Sequence, residues 1–195
     1  MDQMPFVILF ILSAFSMNLT LQCALGIKGA AESKNPGHFS NFIKLGIIFL
    51  SVIMLWAFFS KIVSSIIPGL FVYVLLFPVS YIVYDALEYL FFHQIIKKRP
   101  VNEYSITFPG GITAAAVFIC LNIADNFAQA FLLSFGFASG ICLVLIITGE
   151  IRRRAALEAV PVFLRGKPLV LISMGMLSMV FSVCSLLIFR MIGAK

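Results

Sequence analysis

Apolar residues fall into six blocks along the chain, set apart by polar, glycine- and proline-bearing stretches. The first runs from about Pro5 to Ile27 and is followed by KGAAESKNPGHFSN (28–41). The second, about Phe42 to Ile67, is closed by the turn-forming pair Pro68-Gly69. The third, Leu70 to about Phe92, contains Pro78, Asp85 and Glu88 and ends before the basic run KKRP (97–100). After Phe108-Pro109-Gly110-Gly111, the fourth offers only ITAAAVFICLNI before the polar ADN. The fifth and sixth cover about Phe127 to Gly149 and Pro168 to Phe189. Blocks of about 20 apolar residues are predicted to be membrane-spanning helices, because a backbone in lipid must pair its own polar groups.

Two blocks depart from that pattern. The twelve residues of the fourth (112–123) would rise about 18 Å as a helix, short of a hydrocarbon core about 30 Å thick, which predicts a half-helix or re-entrant piece. The first is long enough, but its tail, NLTLQCALGIKG (18–29), is polar and carries Gly26 and Gly29. A break inside the membrane is expected there, near Asn18 or near Gly26, and such breaks are tolerated where protein or a cavity lines them.

Composition fixes the class. Of the 195 residues, 62% are hydrophobic and 11% charged, and the mean hydropathy is +1.09, more apolar surface than a water-soluble fold can bury. Cys23, Cys120, Cys142 and Cys184 all lie in apolar blocks and form no CxxC or Cys/His cluster, so neither a disulfide framework nor a zinc site is indicated. MDQMPF carries Asp2 where a signal peptide has basic residues, and TLQ before Cys23 is a poor lipoprotein box, so the N-terminus is expected to be retained.

Charge orients the chain. With the N-terminus outside, the inner set is Lys28, Lys34, Lys44, Lys97, Lys98, Arg99, Arg152, Arg153, Arg154, Arg165 and Lys167, and the outer set is Lys61, Arg190 and Lys195. That bias places both termini outside the cytoplasm. Three blocks and then three more, each triplet opening on an interrupted helix, predict one membrane domain over 1–195, built as inverted repeats of about 1–100 and 101–195. The expected fold is all-α with six transmembrane segments, the first of each half broken.

Asp85 and Glu88 share a helix face beside Tyr81, Tyr84 and Tyr89. Acids at membrane depth are costly and mark ion or proton pathways, so both are candidates; the alternative is interfacial pairing with Lys97, Lys98 and Arg99. Glu150 and Arg152–Arg154 read as a headgroup anchor. The following AALEAVPVFLRGKP, with Val160, Phe163 and Leu164, offers a surface for a partner, and Arg152, Val160, Pro161 and Arg165 form the candidate interface. His93 lacks a second ligand at metal-binding spacing apart from Glu88. In SFGFASG (134–140), Gly136 and Gly140 lie on one helix face and permit close helix approach. No nucleotide loop or Ser/His/Asp set is present, and the basic residues are membrane anchors rather than a nucleic-acid surface.

The ordered residues also resemble a family. Residues 126–182 resemble the second half of RnfA and NqrE, integral membrane subunits of the Rnf and sodium-pumping NADH:quinone reductase complexes. The matching positions are Asn126-Phe127, the Gly136 region, Ile151-Arg152, Val160-Pro161, Arg165-Gly166, Leu171-Ile172 and Gly175 through Leu177-Ser178. Looser matches are Asn18, Leu21, Leu25-Gly26, Glu88 and Phe108-Pro109. The resemblance implies six helices in two inverted triplets. It also implies pairing with a paralogous membrane subunit of the RnfE/NqrD kind, other complex subunits carrying flavins and iron-sulfur centres, and a bacterial inner membrane. It further implies a [2Fe-2S] cluster to which each paired subunit gives two cysteines.

The family's cysteine positions fall here on Lys28 and on Ala115, or Thr113 with a gap, none of them cysteine. Cys23 and Cys120 each stand five residues away, about 7.5 Å along a helix, too far for iron-sulfur bonding. An ammonium at Lys28 would repel the iron. The expectation is a family member without cluster ligands, coupling electron transfer to cation translocation as an accessory or non-catalytic subunit of the translocase. The alternatives are a small secondary transporter with Glu88 as coupling site, since inverted repeats with broken helices also describe those folds, and a structural assembly subunit.

Overall fold

The computed structural model describes residues 6–22, 39–63, 69–91, 109–157, 161 and 166–193. The chain is all-helical over these residues. Helix α1 (Phe6–Ile11) widens into a π-helical turn (Leu12–Ser16), leaves helical geometry at Met17, and resumes as α2 (Leu19–Gln22). Then come α3 (Phe39–Phe58) with a terminal π turn (Phe59–Val63), α4 (Gly69–Leu90), α5 (Pro109–Ile123), α6 (Phe127–Leu157) and α7 (Lys167–Gly193). Within α3, α4, α6 and α7 lie four stretches long and apolar enough to cross a membrane, and two shorter apolar ones cover Ile8–Leu21 and Gly110–Ile123. The protein is a multi-pass membrane protein.

Burial separates centre from periphery. In α3 and α6, 44% and 50% of the span is buried, against 17% in both α4 and α7. The two central helices run antiparallel along an aromatic seam: Phe49 meets Phe131 edge-on at 5.2 Å and Trp56 lies 6.2 Å from Phe127. Ring pairs of this kind contribute about 0.5–1.5 kcal/mol each beyond area burial. The broken helix α1–α2 packs on α6 and α7, while the short α5 packs on α3 and α4, and α2 touches α5. Each triplet thus lays its opening element against the second and third helices of the other.

Five buried hydroxyls are satisfied within their own helices, whereas those of Thr20 and Tyr84 have no partner among the described residues. Ser13, Ser51, Thr113, Ser134 and Thr148 each donate to a carbonyl three or four residues earlier, at 2.6 to 2.9 Å. That is how a small polar residue is accommodated without water. Pro78 sits inside α4 without ending it. Nearby, the Ser80 hydroxyl lies 2.8 Å from the Phe77 carbonyl and 3.2 Å from that of Gly110, which ties α4 to the start of α5.

Several boundaries differ from expectation. The fourth segment is one unbroken helix of 15 residues, because Pro109 suits the first turn, where its missing N–H costs nothing. Over the described residues it still rises only about 22 Å, and the break expected in the first helix of each half is present in the first half alone among the described residues. Helix α6 extends eight residues past Gly149, through Leu157. Arginine, alanine and leucine are strong helix formers, and Arg154 pairs with Glu150 one turn away at 3.1 Å.

Candidate functional site

The break in the first segment lies at Met17-Asn18. The Met17 N–H donates to the Leu12 carbonyl at 2.9 Å, closing the π turn. Asn18, fully buried, then serves both broken ends. Its Oδ1 accepts from the N–H groups of Thr20 (3.1 Å) and Leu21 (3.3 Å), and its Nδ2 donates to the Ala14 carbonyl at 3.2 Å. An N-cap of this sort satisfies the donors that a helix start leaves open. Gly26, the other expected break point, lies outside the described residues.

The broken helix is seated on two glycines. A β-carbon at Gly136 would collide with the Ser13 side chain and stand 3.0 Å from the Phe10 carbonyl oxygen, and one at Gly140 would stand 2.6 Å from the Ala14 carbonyl oxygen. Gly136 and Gly140 are therefore what allows the kinked backbone to lie against α6, the close-approach role expected of them. From the other side, Ser178 on α7 donates to the Leu21 carbonyl at 3.2 Å, and Ser16 is hydrogen-bonded to Ser185.

A second polar group lies between α3 and α4. Lys44 Nζ stands 3.8 Å from Glu88 Oε1, with side chains 13% and 23% exposed. One turn earlier on α4, Tyr84 is completely buried and its hydroxyl has no hydrogen-bond partner among the described residues. Asp85, by contrast, is exposed. The structure thus separates the two predicted acids: Glu88 enters a helix interface with a cation, and Asp85 faces outward. Lys44 escaped the sequence analysis, where it counted only as an orienting charge. Its single signal is being the one cation of its block near the block's start.

Arg152 is half-buried on α6 and Pro161 is exposed, while Val160 and Arg165 lie outside the described residues, as do Lys97, Lys98, Arg99 and His93. Cys142 is half-buried and Cys184 exposed.

The two α5 positions that the resemblance matches to a cluster ligand hold no thiol. Thr113 is buried with its hydroxyl donated to the Gly110 carbonyl at 2.9 Å, and Ala115 has no donor atom. Cys120, the thiol of that helix, is buried with its sulfur 3.8 Å from Ser134 Oγ on α6. It is also turned about 140° around the helix from Ala115. Lys28 and Cys23 lie outside the described residues. Among the described residues, no three histidine, cysteine, aspartate or glutamate side chains converge as a metal site.

No family model matches the chain. It is similar to the A subunit of the ion-translocating oxidoreductase complex of Pectobacterium atrosepticum, 34% identical over 65 residues, which is 33% of this chain and 34% of that protein. The protein of the same name from Escherichia coli K12 is 38% identical over 61 residues, covering 31% of this chain and 32% of the relative, and that from Citrobacter koseri matches to the same extent. The match spans about a third of the length of each of these curated relatives.

Proposed function

We propose that this protein is a membrane subunit of an ion-translocating, electron-transporting oxidoreductase complex, a scaffold and ion-path wall that lacks the family's own cluster ligands. The observation that carries the reading is the stretch of similarity to one membrane component of such complexes. The Asn18-capped break seated on Gly136 and Gly140 supports it, since a broken helix inside a membrane is kept where it lines a path or an interface. The exchange of opening elements between the two triplets supports an inverted-repeat domain. Thr113 and Ala115 support the absence of a cluster, whose electrons would travel through partner subunits instead.

In this reading the chain lies in the bacterial inner membrane with both termini outside the cytoplasm. It pairs with a paralogous membrane subunit, and Glu88 stands on the ion path, with Asp85 nearby. Arg152, Val160, Pro161 and Arg165 line the cytoplasmic contact with other subunits. The test is mild-detergent purification of the tagged chain from native membranes. Flavin- and iron-sulfur-bearing subunits should copurify, and the isolated membrane pair should carry no stoichiometric iron. Purification without redox subunits would refute the assignment to a complex, and stoichiometric iron in the pair would refute the loss of ligands.

A second reading, a small cation transporter, has one observation in its favour: the partly buried Lys44–Glu88 pair at membrane depth. Cation flux in vesicles holding this chain alone, abolished by Glu88→Gln, would favour it over the first.

A further inference from the structure

We infer that the outward face of α4 around Asp85 docks a transmembrane helix of a different protein, one that offers a cationic or amide side chain to the Asp85 carboxylate. The inference rests on the proposed membership of a multi-subunit membrane complex.

Helix α4 buries Leu76, Ser80 and Tyr84 against the bundle, and Val74, Ile82 and Tyr89 stand on the exposed side. Asp85 is about 100° around the helix from Tyr84, among these apolar and aromatic neighbours. It is exposed, and it makes no ion pair or hydrogen bond among the described residues. It also lies inside the apolar window Tyr73–Leu90, so its surroundings are those of a spanning segment.

Lipid is a poor cover for that group. A carboxylate inside a span is costly, up to about 2.5–3.5 kcal/mol at the span's centre on the lenient insertion scale, and Asp85, five residues before the end of α4, has a single methylene and does not extend toward the headgroups as lysine does. Helix α7 is the internal control. It is equally peripheral, and it exposes Met176, Met179, Val180, Val183 and Leu186, with no Asp, Glu, Lys, Arg or His between Leu169 and Phe189. That is the composition lipid asks for; α4 carries two acids, Glu88 turned to Lys44 and Asp85 on its exposed face.

Among the described residues, a second copy offers no complementary charge at this level. Lys44, the span cation at the same end of the bundle, is already engaged by Glu88. Lys61 stands at the opposite end of α3, and Arg152 is 25 residues into α6 where Asp85 is 16 into α4. The starts of these two helices are held near one level, because the Tyr73 hydroxyl at the head of α4 is bonded to Asn122, just before α6. Among the described residues, copies related by an axis along the membrane normal therefore bring no unengaged cation to Asp85.

The experiment places a photoreactive diazirine residue at Ile82, 65% exposed on α4, and separately at Met179, 73% exposed on α7, in cells that make the whole complex. The Ile82 probe is expected to give a protein adduct mapping to a transmembrane segment with Lys, Arg, His, Asn or Gln within one turn, and the Met179 probe mainly lipid adducts. Asp85→Leu should cut the Ile82 adduct about tenfold with insertion unchanged, and Asp85→Glu should preserve it. Lipid adducts alone at Ile82, an adduct to a second copy of this chain, or an adduct indifferent to Asp85→Leu would overturn the inference. An adduct of the expected kind to a protein outside any redox complex would uphold it and refute the proposed function. Copurification of redox subunits with only lipid at Ile82 would do the reverse.

Discussion

Lys44 Nζ lies 3.8 Å from Glu88 Oε1 and joins the first turns of α3 to the last turn of α4. Both side chains are mostly removed from solvent, so each charge helps to compensate the other. Lys44→Met strands the Glu88 carboxylate and is expected to cost about 1–3 kcal/mol, less than the roughly 3–5 of a fully buried pair. The double variant Lys44→Met/Glu88→Leu should regain most of that loss. Thermal unfolding in detergent measures both, and a double variant no better than Lys44→Met would contradict the pairing.

Tyr84 separates structure from function on the same helix. Its buried hydroxyl has no partner among the described residues, so Tyr84→Phe removes an unsatisfied group and is expected to leave stability unchanged or slightly improved. If Glu88 and this hydroxyl share an ion path, the same variant lowers coupled ion flux in vesicles holding the complex. Unchanged flux would remove Tyr84 from the path.

The two glycines beneath the broken helix are expected to tolerate no side chain. Gly140→Ala sets a β-carbon 2.6 Å from a backbone oxygen, which the π turn Leu12–Ser16 and α6 can relieve only by moving apart, at a cost of about 1–3 kcal/mol. At Gly136 the nearest obstacle is a side chain, so Ser13→Ala should rescue part of the loss from Gly136→Ala. Gly46 has nothing within 4 Å of a built β-carbon, and Gly46→Ala should stabilise by about 0.4–1 kcal/mol. Equal effects at Gly46 and Gly140 in a detergent stability assay would refute the seating.

Asn18 is expected to be irreplaceable by an apolar residue of similar size. Asn18→Leu removes one donor and one acceptor that serve three backbone groups, and leaving these unpaired costs about 1–3 kcal/mol each unless the helix straightens. Hydrogen exchange at Thr20 and Leu21 should rise by at least about tenfold in the variant, the factor that corresponds to about 1.4 kcal/mol. Unchanged protection would show that the break does not rest on this side chain.

The membrane class, the six apolar blocks and the weakness of the first and fourth were legible in the sequence. They depend on local quantities: run length, hydropathy, and where proline, glycine and asparagine fall. Asn18 was legible as a point of weakness because an amide in an apolar run has to find backbone partners nearby. Lys44 as the mate of Glu88 was not, because the pairing depends on how α3 and α4 are aligned, and the chain between them carries no record of that register.

The sequence by itself therefore determined what the segments are, because lipid imposes the same demand on every backbone whatever surrounds it. Only the tertiary structure decided which polar groups matter to one another. It set Gly140 beneath Ala14, turned Glu88 inward and Asp85 outward, and faced Cys120 toward Ser134 rather than where Ala115 stands. The physical reason is distance: in a medium where an unpaired charge or amide is costly, partners are fixed by helix packing across many residues.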